Sequence, residues 1–327
     1  MRKIILSFLG SISLLIMNVG FSQMKFMETY YTYNWKETPD TYDARFYSLS
    51  KSTDSGWFTT DYFLFYNGRK EQMKGLYQDK YQAIRNGTFQ WFYAYSGLKT
   101  IGRYENNFKE GVWYDFYPSG DLEDSFNYSN GHLTGINMSW YENGFQKDSL
   151  NMDESGNGTY VAWFDNGFPS EAGRYMDFNK KNGKWAYYSK EGKLAELEVY
   201  DKGILQSKQY YNKNNAPVSD TTSNDNMAYF PGGDNVWTNY LLSHLKFPYH
   251  LELSNSAMVV ISVSFTIDEE GNVIEPVVDV PFHPDFDKVV YNVVKDSPKW
   301  MPAIEHNRKV RSRHIQSLQY SQALVGY

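Results

Sequence analysis

From Gly56 to Tyr211 the chain alternates apolar and polar positions in short runs closed by glycine-bearing turns. In Phe89-Gln90-Trp91-Phe92-Tyr93-Ala94-Tyr95 four aromatics occupy every second residue, so Phe89, Trp91, Tyr93 and Tyr95 share one face of a strand and Phe92 takes the other. The runs recur. Gly87, Gly111, Gly135, Gly158 and Gly183 follow one another at spacings of 24, 24, 23 and 25, and Gly97, Gly120, Gly144, Gly167 and Gly192 form a second register nine or ten residues later. Between them stands Phe92, Phe116, Trp140, Trp163 or Tyr188, followed by Tyr93, Tyr117, Tyr141, Phe164 or Ser189. A period this steady predicts a repeat architecture. Each unit predicts two antiparallel strands joined by tight turns with glycine at positive φ; Glu142-Asn143-Gly144, Asp165-Asn166-Gly167 and, in an earlier and looser copy, Tyr66-Asn67-Gly68 are the strongest hairpin turns. The expected fold of 56–212 is an all-β antiparallel meander, about 55 Å long at ~4.8 Å per strand. Residues 23–55 lead into it.

After Tyr211 the pattern stops. Residues 213–226 are polar, contain Pro217 and predict a linker. Beyond them the elements change: a short helix over Asn235 to Lys246 with Val236, Trp237, Tyr240, Leu241 and Leu245 on one side, then a strand over Met258 to Ile267 with Val259, Ile261, Val263, Phe265 and Ile267 facing one way. Asp268-Glu269-Glu270-Gly271-Asn272 turns the chain into a second strand, Val273 to Val280. A helix follows over Pro284 to Asp296, and a third strand over Arg308 to Gln319. Residues 227–327 thus predict a small α+β module.

Composition narrows the function. The chain has 327 residues, 18% of them aromatic, a net charge of −6 and no cysteine. The acidic balance and the lack of Lys/Arg clusters argue against nucleic-acid binding, and zero Cys removes disulfides, thiol nucleophiles and thiolate metal sites. Arg2-Lys3 precede an uncharged apolar stretch from Ile4 to Met17, with small residues at Gly20 and Ser22. This predicts a signal peptide over 1–22, cleaved after Ser22, and places the protein in the periplasm or at the outer-membrane periphery. The competing reading is a retained N-terminal anchor.

Two resemblances follow from these residues. Gly111-Val-Trp113-Tyr114-Asp-Phe116-Tyr117-Pro-Ser-Gly120-Asp-Leu122 and Gly183-Lys-Trp185-Ala-Tyr187-Tyr188-Ser-Lys-Glu-Gly192-Lys193-Leu194 resemble the MORN-repeat variant family of bacterial secreted proteins. That resemblance implies a β-sheet interaction scaffold without a shared chemistry. Phe230-Pro231-Gly232-Gly233, Lys246-Phe247-Pro248, Val263-Ser-Phe265-Thr-Ile267-Asp268-Glu-Glu-Gly271-Asn272-Val273 and Ser297-Pro298-Lys299-Trp300-Met301-Pro302-Ala303 resemble the TonB C-terminal domain. The second resemblance implies capture of an extended segment of an outer-membrane protein by strand addition, with Val310, Arg311, Ser312, Arg313, His314, Ile315 and Gln316 as the candidate edge strand. Arg308, Lys309, Arg311 and Arg313 form a basic patch, suited either to attracting an acidic partner or to protecting the edge. The repeat aromatics Trp91, Tyr93, Trp113, Tyr117 and Tyr141 are either core or a groove for glycan or peptide.

The chain carries no HExxH, GxSxG, P-loop or dinucleotide fingerprint, and no catalytic, cofactor or metal residues are read from it. The expected function is non-enzymatic and needs no cofactor: protein binding in the cell envelope, membrane-proximal and not membrane-spanning once the leader is cleaved. The rivals are a glycan- or peptidoglycan-binding surface protein and an anchored TonB-type energy transducer.

Overall fold

A computed structural model describes residues 25–65, 68–220, 225–246, 248 and 259–320. The leader lies outside these residues, as do Tyr66 and Asn67 of the first hairpin turn, Phe247 and Met258. No helix among the described residues is long and apolar enough to cross a membrane.

The repeat tract is one antiparallel meander. It runs β1 (Phe26–Tyr31), β2 (Phe46–Thr53), β3 (Gly56–Phe65), β4 (Gly68–Tyr77), β5 (Gly87–Phe92), β6 (Leu98–Glu105), β7 (Phe108–Phe116), β8 (Leu122–Ser129) and the two-residue β9 (His132–Leu133). It continues through β10 (Gly135–Trp140), β11 (Gln146–Met152), β12 (Gly158–Trp163), β13 (Pro169–Met176), β14 (Lys180–Tyr188), β15 (Leu194–Asp201), β16 (Ile204–Tyr211) and β17 (Pro217–Val218). Each strand pairs with the one before it in sequence except β10, which passes over the two-residue β9 and pairs with β8. Strand pairing thus begins at Phe26, ahead of the expected start at residue 56, and ends inside the expected linker, where Val218 pairs with Tyr210.

The glycines divide by role. Gly120, Gly144, Gly167 and Gly192 close the hairpins at φ between 77° and 93°, the left-handed region that a side chain disfavours. Gly111 and Gly183 sit in β7 and β14 at φ 69° and 72°, beside register shifts of the bulge kind. A third set was not legible as turn residues. Gly75, Gly102 and Gly173 lie directly beneath Phe89, Trp113 and Trp185, so close that a Cβ would meet the rings at 2.0 to 2.2 Å.

Those rings belong to a belt two residues after the first glycine of each unit: Phe89, Trp113, Asn137, Tyr160 and Trp185. In the third unit Asn137 takes the ring's place, fully buried. Its side chain accepts from the Asn127 N–H and donates to the Thr134, Gly135 and Leu150 carbonyls. Neighbouring units are tied by hydroxyls: Tyr93, Tyr117 and Tyr141 donate to the Phe116, Trp140 and Trp163 carbonyls at 2.7 to 2.8 Å.

The C-terminal module consists of α1 (Asp234–His244), β18 (Val259–Ile267), β19 (Val273–Val280), α2 (Pro284–Lys295), the β20 (Ala303–Glu305) and β21 (Arg308–Val310) hairpin, and β22 (Ser312–Tyr320). Its three-stranded sheet has the order β19-β18-β22. Val259, Ile261, Val263, Phe265 and Ile267 bury one face of β18 against Phe286, Val290 and Val294 of α2 and Trp237 of α1, as their alternation requires. His283 caps α2 by accepting from the Asp285 N–H. Val236 is exposed rather than part of the apolar side. The expected third strand is two pieces, because the chain breaks pairing at Arg311 between β21 and β22.

Candidate functional site

One lateral row organises the inner face of the meander. Directly paired residues lead from Thr29 through Ser48, Asp61, Met73, Trp91, Thr100, Asp115, Asp124, Ser139, Asp148, Ala162, Glu171, Tyr187 and Glu196 to Tyr210. Opposed residues of antiparallel strands point to the same side, so this face carries six carboxylates, Asp61, Asp115, Asp124, Asp148, Glu171 and Glu196, in one row beside the aromatic belt.

The module lies on that face. From the β20–β21 turn onward its chain steps down the row. The His306 ring stacks on Tyr187 at 3.7 Å between centroids and sets Nδ1 3.4 Å from Glu196. Arg308, buried, pairs with Glu171 at 3.0 Å, donates to the Ser170 hydroxyl and covers Phe164 and Tyr187. Arg311 reaches Asp165 at 2.8 Å, also pairs with Glu269 and Glu275, and caps the Tyr141 ring. Arg313 donates to Ser264 of the neighbouring strand. Lys190 answers from the tract with pairs to Glu269 and Glu270, and Asn307 donates to the Ala195 and Tyr211 carbonyls. The break at Arg311 frees that side chain from the sheet register so that it can serve both Asp165 and Glu269.

At the other end, the Tyr95 hydroxyl donates to Asp287 of α2, whose carboxylate also accepts the Phe282 N–H, and Arg45 lies over the Phe282 ring. Between these contacts a groove of about 750 Å³ opens, walled by Trp91, Trp113, Asp115, Ser264, Arg313 and Ile315. It shares Tyr93, Ala94, Val277 and Val278 with an apolar cavity of about 480 Å³ beside α2.

The candidate residues fall into three groups. Val310 pairs with Ala303 in β21, and Arg311 stands at the break. Ser312, Arg313, His314, Ile315 and Gln316 lie in β22, all paired with β18 on one side. No described strand pairs with the other side of β22. His314 stacks on Phe265 and Gln316 accepts from the Trp237 indole, whereas Ile315 is 70% exposed. The basic patch is engaged inside the chain: Arg308 and Arg311 answer carboxylates of the tract and of the β18–β19 turn. The aromatic set is core. Trp113, Tyr117, Tyr141 and Tyr93 are buried, the three tyrosines tie neighbouring units together, Trp91 is half-buried, and Trp91, Tyr93 and Trp113 line the groove.

Sequence reading missed a further constellation, Glu196, Glu198 and His306, in which the histidine stands 108 residues beyond Glu198 and which meets only where the module docks. It also missed the carboxylates of the row. Burial pushes Asp61 up to about 6, burial and Glu123 push Asp124 up to about 7, and burial pushes Asp287 up to about 6. In the unfolded chain these groups release their protons near pH 4. The folded state therefore holds more protons between about pH 4 and 7, and stability falls as pH rises through that window. Melting is expected at a higher temperature at pH 5.5 than at pH 8, with the slope flattened in Asp124→Asn; a melting temperature that rises with pH would contradict the buried state of these carboxylates.

No known protein family matches the chain, and no curated protein does.

Proposed function

We propose that the protein is a non-enzymatic binding protein of the cell envelope that captures an extended segment of an envelope or outer-membrane protein by adding it as a strand beside β22. The observation that carries this reading is the open side of β22. Nine consecutive residues are held by β18 along one side, while no described strand pairs with the other. An exposed edge offers unpaired N–H and C=O groups that an extended peptide satisfies. The helix, hairpin, helix and strand order of the module, and its Ser297 to Ala303 segment, support the likeness to the TonB C-terminal domain. The MORN-like tract is then a rigid platform. In this reading it holds the module by the Arg308 and Arg311 pairs and leaves β22 open, and the leader-like residues 1–22 put the protein in the periplasm or at the outer-membrane periphery. The partner is a polypeptide, and no cofactor is required.

A photoreactive residue at Ser317 of β22, compared with one at Val112 on the opposite, exposed face of the tract, tests this in the native envelope with the full chain. One discrete protein adduct from Ser317 and none from Val112 is the expected result. The same adducts from both positions, or none from Ser317, would remove strand capture.

A further inference from the structure

We infer that Glu196, Glu198 and His306 form a binding site for a divalent transition-metal ion, with zinc as the ion they suit best, bridging the tract and the module. The ligand atoms of the three side chains lie within 4.8 Å of one another. His306 Nδ1 stands 3.4 Å from Glu196 Oε2. Neighbouring ligands of a tetrahedral zinc with bonds of about 2.0 to 2.1 Å are separated by about 3.4 Å, so this edge is already at metal spacing. One imidazole nitrogen and two carboxylate oxygens make a set of three protein ligands, with a fourth position left for water.

The surroundings are built for such a site. Glu196 and Glu198 are each 1% exposed, and Glu196 Oε1 has no hydrogen-bond donor although it is fully buried. Glu198 Oε2 accepts from the Tyr187 and Tyr200 hydroxyls at 2.8 and 2.9 Å, which fixes the carboxylate. The far nitrogen of His306 lies 3.8 Å from the exposed Glu305 carboxylate, outside hydrogen-bond distance. The ring itself is held flat on Tyr187 by a turn in which His306 and Asn307 adopt φ 53° and 58°.

Lys208 explains how two buried carboxylates coexist without an ion. Its ammonium lies 3.7 Å from Glu196 Oε1 and 3.4 Å from Glu198 Oε1, where it answers the same charge that a metal would. Its side chain is about one-third exposed and can swing outward. Zinc and the Lys208 ammonium therefore compete for one seat.

Zinc chloride added to the metal-free full chain tests this by thermal melting and isothermal titration, with cobalt as a spectroscopic probe. Zinc is expected to raise the melting temperature at one equivalent, and cobalt to give the visible absorption of a four-coordinate site. His306→Ala, on a surface turn, should abolish both, as should Glu196→Gln. Lys208→Met should move the titration midpoint to lower zinc concentration. Lys208→Met is the variant that decides between a metal site and a plain charge network, since removing the lysine from the latter only destabilises the fold. No shift in the wild type and none in Lys208→Met would overturn the site, as would a shift that survives in His306→Ala. If Glu196→Gln does not fold, His306→Ala alone still decides.

Discussion

Gly173→Ala is expected to destabilise the tract by about 3 kcal/mol, the upper end for overpacking a close-packed core. The added Cβ would stand 2.2 Å from Cδ2 and Cε2 of Trp185. Trp185 has nowhere to go, being fully buried with its indole N–H donating to the Arg174 carbonyl at 3.1 Å. Gly97→Ala is the internal control. Nothing lies within 4 Å of its added Cβ, and its φ is outside the left-handed region, so a change within about 0.5 kcal/mol is expected. Urea midpoints of the two variants check the pair. Equal midpoints would mean that the indole is not seated on the glycine.

The second large effect belongs to Arg308→Met. Removing one member of a buried ion pair costs about 3 to 5 kcal/mol, because the remaining charge is left without its partner. Glu171 keeps some contact with water, so the low end, about 3 kcal/mol, is expected. The loss should fall on docking more than on either unit's own fold, since Arg308 joins β21 to Ser170, Glu171 and the Tyr188 carbonyl of the tract. Faster proteolysis between residues 213 and 226 and separate melting of the two units are the readouts. The double variant Arg308→Met/Glu171→Gln should recover part of the loss, since it removes the orphaned charge. A single cooperative transition that is unchanged in Arg308→Met would show that the pair does not hold the units together.

Much of the fold was legible in periodicity. Alternation of side chains and the glycine registers located the strands and hairpins from Gly87 onward, because period-2 burial and positive φ both leave direct marks on composition. The module was legible for the same reason: Val259 to Ile267 alternates, and Pro284 opens an apolar stripe. What escaped depends on contacts between distant residues. Gly75, Gly102 and Gly173 look like ordinary strand glycines, and only the rings above them explain their size. The basic residues from Arg308 to Arg313 looked like a free patch, since nothing local reveals that Glu171 and Asp165 lie opposite them. The break at Arg311 has the same origin, because its side chain is drawn to two carboxylates on different units. Glu196 and Glu198 sat in an unremarked strand, His306 in a turn, and their meeting is a product of docking. For the aromatics, alternation holds for Phe89 and Trp91, which stack, but β5 ends at Phe92 with a register shift, so Tyr93 and Tyr95 lie beyond the strand and Phe92 lines the same groove as Trp91 and Tyr93.

The pairing of strands that lie close in sequence also bears on assembly. Such a sheet closes only short loops at each step, so it can grow hairpin by hairpin from its first strands as the chain emerges, without waiting for distant segments. The stretch from His306 to Arg313 follows every strand of the tract in the chain, so the acids and rings it docks on all precede it. The surface that receives the module is thus encoded wholly upstream of the segment that docks on it.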